Sequence, residues 1–598
     1  MFIEKAKDFN STLKNFFPFS PNATVPDWSE LDSSYSHELI RLGEKYMDYC
    51  FIAIPATAFM DFTRTGNRTD YEDIYFAKRR ALNALTIAEC IENNGRFIDN
   101  ITNGIFSICE ESAWQIPAHN SYIRDTPQLI LPDSTLPVLD LFACETGAML
   151  AMIRYLIRDT LNKISPIIVQ RIENELNNRI IIPYINCHFW WMGNGDEPMC
   201  NWTIWCTQNI LITAFTLNLT DEFQKTIFLK ASTSVDYFLK EYGDDGCCDE
   251  GAGYYRHAGL CLFNTLEILN AITNNHFSSL YKNNKIKNIA SYIINVHVHD
   301  KYYINYADCS PIAGRAGVRE FLFGKRTLNS DLMKFAALDH QSDSDQLLST
   351  EINLFYRIQA AFTEKEINNY DISGTISHDD IFYSSVGIFK AHDDTTCLAV
   401  KAGDNDDSHN HNDTGSFTIY KNGEPMFIDV GVETYCKKTF SPQRYEIWTM
   451  QSTYHNLPDV DNMMQMNGPY FKAADVFTCF ESERSSISMN IAPAYPLDSF
   501  NTYKRTVTLH KNKSVLIEDI WDSVHTVVSN LMTYTQPSIC SNNMIQIGTL
   551  GSALIEGASS IEIEEIPITD KRLQGAWKHS IYRIRITPSG NTLTIIMR

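Results

Sequence analysis

The chain has 598 residues, 44% of them hydrophobic and 20% charged, which is a globular composition with material for more than one core and excludes a wholly disordered chain. Lys and Arg total 50 against 72 Asp and Glu, a net charge of −22 that argues against non-specific nucleic-acid binding. No apolar run is long enough for a transmembrane helix.

The N-terminus, Met1-Phe2-Ile3-Glu4-Lys5-Ala6-Lys7-Asp8, lacks the apolar stretch of a secretory signal, and fifteen scattered Cys fit a reducing compartment. The expectation is a cytoplasmic protein, or a periplasmic or secreted one whose leader has been removed. From there to about residue 370 the pattern is helix after helix. Apolar residues recur at three- and four-residue spacing over Asp70–Ile98, Val138–Ile157, Ile167–Leu176, Thr203–Leu217, Phe223–Leu239, Leu260–Ile272 and Leu347–Phe362. Serial helical hairpins of this kind predict an α-solenoid or a closed helical toroid. Near Asn368–Ser377 the texture changes to alternation. Phe417–Tyr420, the Asn422-Gly423 turn and Pro425–Ile428 read as a hairpin, and Thr506–Leu509, Val515–Ile517, Ile561–Ile566, Ile581–Ile586 and Thr592–Ile596 continue as strands. The fold class is therefore α+β and multidomain: a helical toroid over 1–370, then an antiparallel β-sandwich over 371–598.

Three polar constellations carry chemistry. The first joins a loop to a helix at Met199-Cys200-Asn201-Trp202, where Asn201 either caps the helix or offers its amide to a carboxylate, and Trp202 offers a face to a sugar ring. The second, Asp249-Glu250-Gly251-Ala252-Gly253-Tyr254-Tyr255-Arg256-His257, is a shaped loop with two phenols available as proton donors and a His to orient one; its glycine spacing fits no phosphate cradle. The third is Asp404–Asp413, containing His409 and His411. On extended backbone the two imidazoles serve one site; if the chain bends between them they serve different tasks. Asp429, at the end of an apolar strand, and His455 complete a two-His, one-carboxylate set with His411 that suits zinc. Arg315, Arg319, Lys437, Lys438 and Arg444 are the positive charges available for an anionic ligand.

The run His409-Asn410-His411-Asn412-Asp413-Thr414-Gly415-Ser416-Phe417, leading to Asp429-Val430-Gly431, resembles the HxHxDxGSF-type signature of the heparinase II/III-like polysaccharide lyases. Ser441-Pro442-Gln443-Arg444-Tyr445 and Trp448–Asn456 resemble the same family. The resemblance implies an (α/α) toroid followed by a β-sandwich, and β-elimination of a uronic-acid glycosaminoglycan such as heparan sulfate, chondroitin sulfate or hyaluronan to 4,5-unsaturated products. Alginate or oligoalginate is the alternative substrate; a glycoside hydrolase or a non-catalytic carbohydrate-binding protein on the same fold are the rival readings. By position it implies Asn201, Tyr255 and His409 as catalytic residues. Asn201 neutralises the uronate carboxylate, although Trp202 follows it where some members place a His. It implies His411, Asp429 and His455 as ligands of one structural divalent ion, zinc by family habit. Trp202, Glu250, Tyr254, His257, Arg315 and Arg444 are then the candidate substrate-binding residues.

Overall fold

The computed structural model describes every residue except 21–23, 124, 125, 127, 523 and 542. Two compact units are present. One comprises Met1–Glu241, Arg256–Ile286 and Arg315–Gly374; the other comprises Tyr242–Tyr255, Lys287–Gly314 and Thr375–Arg598. The expected single cut at 371 thus misses two segments from the helical half, 242–255 and 287–314, that pack as parts of the β unit.

Five helices form the inner circuit of the helical unit: α1 (Leu141–Ile164), α2 (Asn201–Thr216), α3 (Gly259–Ile272), α4 (Val318–Thr327) and α5 (Leu354–Asn368). Each packs on the next, and α5 packs back on α1, so the ring closes as a toroid. Other helices, among them Thr69–Glu92, Pro166–Leu176 and Asp221–Glu241, pack against it from the remaining sides. Helix starts follow local chemistry: Asp140 accepts from Ala143 N–H at 2.7 Å to cap α1, and Asn353 accepts from Phe355 N–H to cap α5. The second cap explains why α5 begins seven residues later than the apolar pattern from Leu347 suggests. α2 and α3 are buried almost all round, as members of a closed inner ring must be. Where their faces meet, polar side chains pair with one another: Glu145 of α1 accepts from Trp205 Nε1 and Asn353 Nδ2, both at 3.1 Å.

The β unit contains antiparallel sheets of five, four and eight strands. The five-stranded sheet runs in chain order from Ile381–Tyr383 to Glu424–Phe427 and ends in the expected hairpin, with Asn422 and Gly423 both at positive φ, as a two-residue hairpin turn requires. The eight-stranded sheet has Ala474–Phe480 at one edge and Pro537–Ser541 at the other. Alternation is clean where one face is wet: Ser514–Trp521 buries Val515, Ile517 and Trp521 and exposes Glu518 and Ile520. One apolar core, including Phe389, Leu398, Phe417, Phe427, Val507, Ile517, Ile555 and Ile595, joins the inner faces. No described helix is long and apolar enough to cross a membrane.

Candidate functional site

The polar centre of the β unit is built on Asp308, in the loop that follows the short hairpin His297–His299/Tyr302–Tyr303. Its fully buried carboxylate takes four donors. His409 Nδ1 and the Tyr435 hydroxyl reach Oδ2 at 2.7 and 3.2 Å; His411 Nε2 and Arg444 Nη2 reach Oδ1 at 3.1 and 2.5 Å. Burial opposes the charge, but the two imidazole hydrogen bonds and the Arg444 charge hold Asp308 well below the usual carboxylate range.

His409 sits at φ +57°, a left-handed conformation rare for a residue with a side chain. The chain therefore bends at His409, and the two imidazoles leave it in different directions to reach different oxygens of Asp308. His409 points its ring at Tyr254, with centroids 4.7 Å apart and planes 25° from parallel, and places Nε2 3.2 Å from Glu250 Oε2. With a carboxylate at each ring nitrogen it is held as the imidazolium. Burial works against that charge, yet Asp308 and Glu250 outweigh it and push the pKa up to about 9. Tyr254 lies on the single helical turn Ala252–Tyr255. The turn is entered through Gly251 at φ +86°, where a Cβ would come within 2.6 Å of Cys309 Cβ, so only glycine lets this loop close on the Asp308 loop. The Tyr254 hydroxyl is 2.7 Å from that of Tyr435, and burial, then Tyr435 and the nearby carboxylates, hold the Tyr254 phenol well above its ordinary pKa.

Tyr255, the expected catalytic phenol, is elsewhere. About 100° further round the helical turn, it is fully buried, packs against Tyr292 and donates to the Ala290 carbonyl at 3.3 Å. Tyr254, expected only to bind substrate, is the phenol that stacks on His409. Arg444 is buried, and its guanidinium binds the carbonyls of Asn410, Thr439 and His409 as well as Asp308, so four of its five N–H groups are spent on holding the 409–411 loop and Asp308. Asp308, Tyr435 and Arg572 were not singled out from the sequence. Arg572 lies 4.2 Å over the Tyr435 ring and donates to the Asp308 carbonyl at 3.2 Å. Each is a lone residue in a loop or a one-turn helix with no pattern around it. The only available signal was Asp308 standing in an otherwise apolar stretch.

His411, Asp429 and His455 come together as the sequence suggests: all three are buried, with one ligand atom of each within 4.8 Å of the others. The donor set fits a cation. His411 Nε2 is engaged by Asp308 and His455 Nε2 by the Thr449 carbonyl at 3.2 Å, which leaves both Nδ1 atoms facing inward. His411 Nδ1 is buried without a hydrogen-bond partner, and His455 Nδ1 is 2.8 Å from Asp429 Oδ2. Asp429 Oδ1 is fixed by Gly431 N–H at 2.9 Å. Two imidazoles and one carboxylate, each oriented by an outer partner, could hold a metal ion.

In the helical unit, Asn201 is the first residue of α2 and not its cap; Cys200 precedes it in extended conformation, and Asn201 is buried. Trp202 stands between His119 and Trp190, with ring centroids at 4.5 and 5.1 Å. His257 stacks on Trp205 at 3.9 Å, and burial, reinforced by Arg319 and Arg256, pulls its pKa down to about 3, so it is neutral. Arg315 is paired with Asp339 at 2.8 Å, and Arg319 lies 4.0 Å over the Tyr356 ring; neither projects as a free cation.

Residues 375–526 match the family described as heparinase II/III-like, C-terminal. The match falls within the β unit. Solved structures match over the full length. A mutant of the heparan sulfate lyase HepC from Pedobacter heparinus has 12% identity and a TM-score of 0.60, covering 100% of this chain and 87% of its own. A heparinase III structure has 12% identity and a TM-score of 0.58, covering 99% of this chain and 91% of its own. The chondroitin AC lyase of Streptomyces coelicolor A3, solved with chondroitin sulphate, has 8% identity and a TM-score of 0.53, covering 100% of this chain and 82% of its own. At such identities the likeness is one of fold: a helical toroid and antiparallel sheets in one chain. A search of curated proteins gives no match.

Proposed function

We propose that this heparinase-like protein is a polysaccharide lyase that cleaves glycosaminoglycans by β-elimination beside a uronic acid, and that Tyr254 is its proton-transfer residue. The observation that carries the reading is the Tyr254–His409 stack clamped by Asp308 and Glu250. The heparinase-like fold of the chain supports it, since the relatives named above are lyases of heparan sulfate and chondroitin.

Elimination needs a group that removes the C5 proton beside the carboxylate and a group that protonates the departing O4; no water is consumed, and a C4=C5 double bond remains. His409, with a carboxylate at each ring nitrogen, has no lone pair for a base and serves as a fixed positive charge. Tyr254 then does both jobs from one side of the ring. The Tyr254 oxygen takes the C5 proton as its own hydroxyl proton passes to O4, so the residue ends the step as a phenol. The Tyr435 hydroxyl, 2.7 Å away, and the His409 ring stacked on it fix the phenol in that position. For Asn201, in the helical unit, the proposal keeps the role that the resemblance implies, an amide donor to a uronate carboxylate. The net charge of −22 does not forbid a polyanionic substrate, because repulsion beyond about 10 Å is screened at 0.1 M salt.

We assign the ion at His411, Asp429 and His455 as zinc with a structural task. When bound it supplies a fixed charge that locks both imidazoles, and through His411 it holds Asp308 in place. The test is a panel of heparan sulfate, chondroitin sulfate, hyaluronan and alginate, with product ultraviolet absorbance as the readout. Tyr254→Phe removes most turnover on the best substrate, while Tyr255→Phe leaves it near normal. Near-normal turnover in Tyr254→Phe refutes the assignment, and a product without the new absorbance refutes elimination.

A further inference from the structure

Apart from the Asp308 centre, the β unit holds a pocket of about 240 Å³ lined by Glu433, Trp448, Tyr454, residues 564–570 and Leu573. It has room for one sugar ring. Trp448 and Tyr454 form its aromatic corner, with centroids 5.1 Å apart and planes at 79°, so a ring entering the corner meets one face and one edge. The carboxylates around it divide into two classes. Asp570 is consumed by the backbone N–H groups of Thr434, Arg572 and Leu573. Glu564 is paired with Arg583 at 2.6 Å, and the same guanidinium backs the Tyr454 ring at 4.6 Å. Glu433 and Glu565 remain as acceptors for a ligand. Glu433 is the fixed one, because Trp448 Nε1–H donates to its Oε1 at 2.8 Å and ties it to the aromatic wall.

Carboxylate oxygens accept from hydroxyl and ammonium groups and repel sulfate and carboxylate, while an indole face takes the apolar side of a pyranose. We propose that this pocket is a non-catalytic sugar site for a neutral or amine-bearing hexose ring, opposite in charge preference to the uronate handled at Asp308. The assignment stands on the pocket itself; only the source of the sugar, a unit of the same polymer or a free monosaccharide, rests on the lyase reading. Glu433 is two residues from Tyr435, and Arg572 shares its short helix with the pocket residue Leu573, so the two sites are neighbours along two segments of one unit.

Ligand-observed NMR titrations of the full chain test this with glucosamine, N-acetylglucosamine, glucuronate and glucosamine 6-sulfate. Glucosamine and N-acetylglucosamine bind, and the two anionic sugars bind at least about tenfold more weakly. Trp448→Ala weakens the favoured sugars by about tenfold or more, and Glu433→Gln, which keeps the shape of the pocket, weakens glucosamine most. Tyr254→Phe leaves all these affinities unchanged, which separates this pocket from the Tyr254 site. Glucuronate binding as well as glucosamine, or Glu433→Gln keeping full affinity, overturns the proposal, as does occupation of the pocket by calcium in place of sugar. A rise in KM for polymer but not for the shortest substrate in Trp448→Ala marks the polymer as the source; unchanged KM with lost monosaccharide binding marks free sugar. Loss of the lyase reading through Tyr254→Phe would leave these binding results standing.

Discussion

Asp308→Asn is the most informative single change in the β unit. The substitution keeps shape and volume but replaces a buried carboxylate that receives four donors, two on each oxygen. An amide has one acceptor oxygen and one NH2. Whichever way it is flipped, its NH2 faces two donors: His409 and Tyr435 in one orientation, His411 and Arg444 in the other. Two hydrogen bonds involving charged groups are therefore lost at about 1.5–3 kcal/mol each, and the buried Arg444 loses its only carboxylate among the described residues. Carbonyls of Asn410, Thr439 and His409 still hold that guanidinium, which keeps the total near the 3–5 kcal/mol typical of breaking a buried ion pair. Urea unfolding followed by circular dichroism measures the loss, with metal content measured on the same preparations. The expected result is a drop of about 3–5 kcal/mol, lower metal occupancy and no detectable lyase turnover. A variant that loses less than about 1 kcal/mol and retains its metal would refute the view that Asp308 organises the site.

Chelation should expose the dependence of the β unit on its ion: the holoprotein carries one divalent metal per chain, and removing it lowers the thermal midpoint by several degrees, as does His411→Ala without chelation. Metal analysis and calorimetry check both outcomes. In the helical unit, burial, with Glu351 adding to it, raises the Glu145 carboxyl from 4.5 to about 8. A folded pKa above the unfolded one means that the folded state holds the extra proton between those values. This group's contribution is therefore complete below about pH 4.5 and is lost as pH rises towards 8, at up to about 1.4 kcal/mol per unit. Glu145→Gln should flatten that part of the stability–pH curve, and an unchanged slope would show that another group titrates there.

Much of this architecture was legible because it is periodic. The inner helices announce themselves by three- and four-residue spacing, and the 417–428 hairpin by alternation around Asn-Gly. The grouping of His411, Asp429 and His455 was legible for another reason: the resemblance of the 409–417 run and of 429–431 implies that they share one site, and the three do come together. What the sequence does not carry is rotation. Tyr254 and Tyr255 are adjacent and chemically identical, and which one faces His409 depends on the phase of a single helical turn set by Gly251 at positive φ. Nor does it carry long-range pairing. Asp308 lies 101 residues before His409 and 136 before Arg444, and no local pattern marks a loop aspartate as the acceptor for both.

On the proposed reading, one carboxylate bears on both the candidate metal site and the Tyr254–His409 pair. His411 spends Nε2 on Asp308 and so leaves Nδ1 for the candidate metal site; His409 spends Nδ1 on the same group and so turns Nε2 to Glu250. Because His409 occupies the left-handed region, the two rings leave the backbone in different directions and still converge on opposite oxygens of Asp308. A metal that fixes His411 therefore also fixes the position of Asp308, and with it the tilt of the imidazolium against Tyr254. Neutral substitutions at His411 should consequently alter the 254–409 geometry even where the fold survives. The ordering of dependence runs from ion to carboxylate to imidazolium to phenol. It makes a direct claim: Tyr254→Phe leaves metal affinity intact, whereas His411→Ala impairs both metal binding and turnover. The reverse pattern would place the ion downstream of the phenol and break the chain of dependence at Asp308.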